Sequence, residues 1–195
     1  MNGVRDSLDY DSAVHFTMRL PTKRVAADCL VFDPAGRFLV VEPTYKSAWD
    51  VPGGVAEVDE PPRRAARREV GEELGLELEP GALLAVDWVA GDGDVTEVMA
   101  FLFDGGVIGE PAASLTLQAD ELGSARFVTL VEAEQLMDAE AFARVEAAID
   151  ARARQTTVYL ECGREIDLAG RTDAGADEAH IAEAVDCPLR EPLSG

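Results

Sequence analysis

Glu69, Glu72 and Glu73 stand at i, i+3 and i+4, with Arg68 beside them and Glu60 shortly before. At about 100° per residue this spacing places all three carboxylates on one face of a helix. Glutamates are good helix formers, and most charged helical faces are simply solvated, so an ordinary surface helix is the competing interpretation. Like charges at i,i+4 nevertheless cost a few tenths of a kcal/mol each, and a bare helix gains nothing from stacking three. A hard cation reverses that sign. The nearby donors are oxygens without histidine or cysteine, which points to Mg²⁺, with Mn²⁺ able to substitute, shared with the oxygens of a phosphorylated substrate.

The flanking residues position this face. Glu60-Pro61-Pro62 starts the helix, because proline in the first turn gives up only amide donors that lack intrahelical partners, and an acid there suits the positive end of the helix dipole. Gly75 stops it as a left-handed cap. Ala66, Val70 and Leu74 recur at i, i+4 and i+8 and dock the helix on a core. Elsewhere, Val25–Phe32 and Arg37–Glu42 form a hairpin across Asp33-Pro34-Ala35-Gly36, and Leu83–Val89 and Val95–Phe103 form another across Gly91-Asp92-Gly93-Asp94. A strand at Arg126–Leu130 precedes one helical stretch from Val131 to Arg154, with Phe142, Val145 and Ile149 facing inward. Thr156–Glu161 adds a last strand. Strands between two helical layers predict an α/β/α sandwich with a mixed β-sheet.

The run Gly54-x5-Glu60-x7-Arg68-Glu69-Val70-x-Glu72-Glu73-x-Gly75-Leu76 matches every fixed position of the signature of the Nudix hydrolases, and Trp49-Asp50-Val51-Pro52-Gly53-Gly54 is similar to that family's usual lead-in. Asp59, where glycine is common, and Gly71, inside the helix, fall at variable positions. The resemblance implies that Glu72 and Glu73 are the principal metal ligands, joined by Glu69 and the carbonyl of Gly53. It implies that Glu69 is the candidate base, with Glu60 and Arg68 holding it. Glu57 is a further candidate ligand, and so is a carboxylate from the region of Asp120 and Glu121. The implied reaction is metal-dependent cleavage of a phosphoanhydride in a nucleoside diphosphate linked to another group. The absence of subfamily markers tilts towards a (deoxy)nucleoside triphosphate, with ADP-ribose or a nucleotide sugar as alternatives. A silent nucleotide sensor is the alternative from another class, although such relatives generally lack one of the carboxylates.

The chain has 195 residues, 47% hydrophobic and 28% charged, with a net charge of −21. That size suits one core-bearing domain, here 21–162, with an N-terminal extension, 1–20, and an acidic C-terminal tail, 163–195, read as flexible or loosely docked. So negative a chain repels polyanions, which argues against a nucleic-acid polymer and leaves a small nucleotide drawn in by local cations. Met1–Phe16 has no long apolar core, so neither a secretory leader nor a membrane span is expected. Cys29, Cys162 and Cys187 are read as reduced thiols of a cytoplasmic protein. A homodimer is compatible with this picture. Asp92-x-Asp94-x-x-Glu97 reads as a turn rather than a calcium loop, and His15 and His180 lie in no nucleophile setting. Arg63, Arg64 and Arg67 read as solvated salt-bridge partners, and Trp49 and Trp88 as packed aromatics. Nothing in the sequence marks the residues that bind the substrate's variable group.

Overall fold

In the computed structural model, which describes residues 19–91, 96–109 and 115–166, alternation along one strand splits the protein into layers. In β1 (Arg24–Phe32), Ala27, Cys29 and Val31 join one buried cluster, and Leu30 and Phe32 join another. Successive side chains of a strand point to opposite faces, so the two clusters are the two faces of a sheet. Helix α1 (Pro62–Leu74) covers the first with Ala65, Ala66, Val70 and Leu74. Helix α3 (Ala139–Arg154) covers the second with Ala141, Val145, Ala148 and Ala151. The expected α/β/α sandwich is therefore present.

The sheet also contains β2 (Phe38–Pro43), β3 (Gly53–Val55), β4 (Leu83–Val89), β5 (Val98–Val107), β6 (Leu122–Val128), β7 (Val158–Glu161) and β8 (Arg164–Glu165). Its order is β6-β2-β1-β5-β4-β7-β8. The β1–β5 and β4–β7 pairs are parallel and the others antiparallel, as a mixed sheet requires. One edge of β1 serves two partners: Phe32 meets Phe38 of β2, while Ala26, Ala27 and Asp28 meet Val55, Gly54 and Gly53 of β3. The β1–β2 turn is fixed by Asp33, whose Oδ1 accepts from the backbone amides of Ala35 (2.9 Å) and Arg37 (2.8 Å), and by Gly36 at φ 80°.

The ends of α1 follow the sequence closely. Pro62 opens it and Gly75 closes it at φ 65°, donating to the carbonyl of Gly71 at 3.0 Å. Its first turn contains no acid; Glu60 lies just before the N-cap, with its carboxylate bound by Arg68. Asp59 has φ 61°, the left-handed conformation that makes glycine common at this position. At Gly71 an added Cβ would meet nothing closer than the Leu76 carbonyl oxygen at 3.8 Å, so packing does not explain that glycine.

Several boundaries differ from the sequence reading. Gly53–Val55 forms a strand absent from the sequence reading, because β1 supplies pairing that a Gly-Gly pair would not seek alone. β6 begins at Leu122, since pairing with β2 carries Leu122 and Ser124 into the ladder, with Gly123 at the register shift between them. The single helix expected over Val131–Arg154 is two. Thr129 and Glu132 form a capping box on the short α2 (Leu130–Ala133), and the Asp138 side chain accepts from the Ala141 amide at 2.9 Å to start α3. β8 continues the sheet beyond Gly163. Cys162 is disulfide-bonded and only Cys29 is a free thiol among the described residues, which corrects the reading of all three cysteines as reduced. Asp92, Asp94, His15, His180 and Cys187 lie outside the described residues. No described helix is long and apolar enough to cross a membrane.

Candidate active site

Between β1, β3 and the exposed end of α1 lies a cleft of about 370 Å³. Gly53 and Gly54 build its wall, and each is small for a different reason. A Cβ at Gly53 would fall 2.5 Å from the Asp28 Cα and 2.6 Å from the Ala27 carbonyl oxygen, and its φ of 151° is open only to glycine at low cost. A Cβ at Gly54 would instead fall 2.5 Å from Cδ of Glu69. The first glycine permits the β1–β3 approach and the second makes room for a carboxylate. Gly53→Ala is accordingly expected to destabilise the fold, by about 1–3 kcal/mol from backbone strain alone. Gly54→Ala should leave the melting temperature nearly unchanged while lowering kcat by about 10²-fold through displacement of Glu69. Equal thermal losses in both variants would refute that division of roles.

Arg68 organises the acids. Its Nε and Nη2 donate to the two carboxylate oxygens of Glu60, at 3.0 and 2.9 Å, and its Nη1 donates to Glu69 and Glu72, both at 2.9 Å. Glu60 also accepts from the Glu57 amide at 2.9 Å, and these bonds pull its carboxyl down to about 2. Burial pushes Glu69 up from its usual range against the pull of Arg68. Glu73, only 7% exposed, accepts from the Gly53 amide at 3.0 Å. Burial carries it up to about 8, and Glu69, Asp28 and Glu121 add to the rise.

The three carboxylates thus leave the helix at one end but do not point to one spot. Glu69 and Glu73 line the cleft, whereas Glu72, 54% exposed, turns outward to Arg68. Among the described residues no group of three His, Cys, Asp or Glu side chains is close enough together to hold a metal ion. Glu121 lines the cleft, and its Oε1 accepts from Gln118. Asp120 does not line it, and its carbonyl accepts from Thr44 Oγ1 at 3.1 Å. Glu57 is exposed and lies outside it. Arg63 and Arg67 pair with Glu79, as expected of surface arginines. Trp49 packs on the core under Arg126, whose guanidinium lies 4.7 Å from the ring centroid.

The cleft also holds groups that the sequence reading missed. Asp28, from β1, lies under Gly53, and burial followed by Asp50 drives its carboxyl upward while Arg144 and Lys46 oppose. Arg144, from α3, donates through Nε to Asp87 of β4 at 2.9 Å, and the Gly163 amide donates to both oxygens of Asp87 at 3.1 Å. Asp28 and Asp87 were detectable in principle as acids in the middle of apolar strands, where a lone charge is costly. Arg144 carried no such signal.

Comparison with known proteins bears on the same region. The NUDIX domain profile matches residues 22–148. The chain is 39% identical over 82 residues to the phosphatase NudJ of Escherichia coli (strain K12), covering 40% of this chain and 52% of that protein. It is 36% identical over 66 residues to a MutT-like protein of Streptomyces ambofaciens, covering 34% and 43%. The matches span about half the length of these curated relatives. The MutT protein structure from Methanosarcina mazei Go1 superposes with a TM-score of 0.57 at 23% identity, over 70% of this chain and 98% of that one, which speaks for the fold. With the profile spanning the cleft and both helical layers, the chain belongs to the Nudix family.

Proposed function

We propose that the protein is a metal-dependent pyrophosphohydrolase that cleaves a phosphoanhydride in a nucleoside diphosphate linked to another group, a (deoxy)nucleoside triphosphate being the first choice. The observation that supports this most directly is the burial of Glu73 beside Glu69 and Glu121 in one cleft. Buried like charges raise one another's affinity for protons, and a protein that retains them has a use for a cation.

The residues fit a hard divalent ion. The donor set is all oxygen, Gly54 leaves a cradle for the Glu69 carboxylate, and one nitrogen of Arg68 holds both Glu69 and Glu72. Glu73, Glu72, Glu69 and the Gly53 carbonyl would hold Mg²⁺ or Mn²⁺, with Glu121 as a further ligand. When bound, that ion supplies charge neutralisation and Lewis acidity to the phosphate oxygens.

The chain's own groups account for the rest. Glu69, made more basic by burial and fixed by Arg68, takes a proton from the attacking water as its oxygen bonds to phosphorus and the bridging P–O bond breaks. Glu60 keeps Arg68 from swinging away, acting through position alone. The −21 charge disfavours a polymeric nucleic acid and leaves a small phosphorylated molecule as the substrate.

The test is hydrolysis of a panel with Mg²⁺ or Mn²⁺: nucleoside triphosphates, nucleotide sugars, ADP-ribose, dinucleoside polyphosphates and coenzyme A. Cleavage of at least one, abolished by a chelator, is expected. Tight nucleotide binding with no turnover on any would replace the hydrolase with a sensor.

A further inference from the structure

Arg144 is the sole basic side chain among the described residues lining the cleft, and nothing in the signature accounts for it. Its side chain is 12% exposed and anchored on Asp87, which is wholly buried. A buried charge of this kind is costly unless it is paired, so Asp87 is present to hold something in place. It holds Nε. The two Nη groups make no hydrogen bond among the described residues. Asp28 lines the same cleft, and among the described residues its carboxyl makes none either.

Apolar strand residues line the same cleft. Ala26 and Ala100 are register partners across β1 and β5, Val98 and Val89 are partners across β5 and β4, and all four line the cleft. Small side chains on adjacent strands leave a slot suited to a planar ring and offer nothing to sugar hydroxyls. A phosphate is a poor occupant too, because the guanidinium charge is already matched by the buried Asp87 at 2.9 Å. The guanidinium donates and the Asp28 carboxyl offers an acceptor oxygen in either protonation state, which suits an uncharged edge that carries an acceptor beside a donor.

We infer that Arg144 and Asp28, with Asp87 as the positioning residue, form the specificity pair that reads the hydrogen-bonding edge of a nucleobase on the substrate. This deepens the hydrolase reading by naming the residues that read the nucleoside's base, and it rests on that reading for the diphosphate end of the cleft.

The test is equilibrium binding of GMP, AMP, UMP, CMP and ribose 5-phosphate to the full chain with Mg²⁺ present, measured calorimetrically. At least one nucleotide should bind tenfold or more tightly than ribose 5-phosphate. Arg144→Lys keeps a cation opposite Asp87 but loses the planar fork, and Asp28→Asn keeps the shape but replaces one carboxyl oxygen by an amide donor. Each should erase most of that preference while ribose 5-phosphate binding stays within twofold. If Arg144→Lys does not fold, Asp28→Asn carries the test, since it leaves the Arg144–Asp87 pair intact. Equal binding of all five probes to the wild type, an unchanged preference in the folded variants, or a parallel loss for ribose 5-phosphate would each overturn the pair. Binding needs no turnover, so loss of the preference with hydrolysis intact condemns only the pair. Absent hydrolysis with the preference intact condemns only the catalytic reading.

Discussion

Glu73→Gln is expected to lower kcat/KM by roughly 10³-fold while leaving the protein folded. The side chain sits in the cleft wall, and its contact there is accepted from the Gly53 amide at 3.0 Å. Glutamine retains an acceptor oxygen for that amide and differs by little in volume, so the local backbone has no reason to move. What disappears is the negative charge, which is the property a divalent cation would need from this position. The same substitution at Glu72 tests whether an outward-facing carboxylate joins the site when a cation arrives. Glu72 is held by a single Arg68 bond on an exposed face, so the rearrangement costs little. A loss of comparable size is expected there, measured by steady-state hydrolysis of whichever panel compound is cleaved. Turnover within threefold of wild type in both variants would remove the metal role from this helix.

The parts of this site that the sequence disclosed are those whose physics is local. Pro62 and Gly75 bracket α1, Ala66, Val70 and Leu74 choose its buried face, and Arg68 reaches Glu72 one turn away. Asp33 closes the β1–β2 turn with hydrogen bonds to residues two and four along. The parts that stayed hidden depend on pairing across the chain. Whether Glu72 and Glu73 share a target cannot be read from helical periodicity, because one faces the β1–β3 junction and the other faces water. Gly53–Val55 becomes a strand only because Asp28 is opposite Gly53. Arg144 meets Asp87 across 57 residues, and its role exists only once α3 has packed on β4. The break between α2 and α3 was a different failure, since Thr129, Glu132 and Asp138 spelled out two helix starts that the apolar periodicity concealed.

Without divalent ions the protein should become less stable as pH rises from 5 to 8, with the melting temperature falling by roughly 5–10 °C. The sign follows from Glu73. Its folded-state value of about 8 lies above the ordinary 4.5, so the fold favours the protonated acid. That contribution is complete below the unfolded value and is lost as pH climbs through the folded one. Asp28 and Glu69 are shifted in the same direction, chiefly by burial. The acids held low by their partners, Asp33, Glu60, Glu97 and Glu132, act in the opposite sense but only at more acidic pH, because above 5 they are ionised in both states. Adding Mg²⁺ at pH 8 should recover much of the loss, since an ion that binds only the folded form stabilises it by mass action. Glu73→Gln separates the contributions: in chelator it should melt higher than wild type at pH 8 and show a flatter pH profile, yet gain less from Mg²⁺. A variant that melts lower than wild type at pH 8 without metal would show that the Glu73 carboxylate is a structural acceptor rather than a charge stored for a cation.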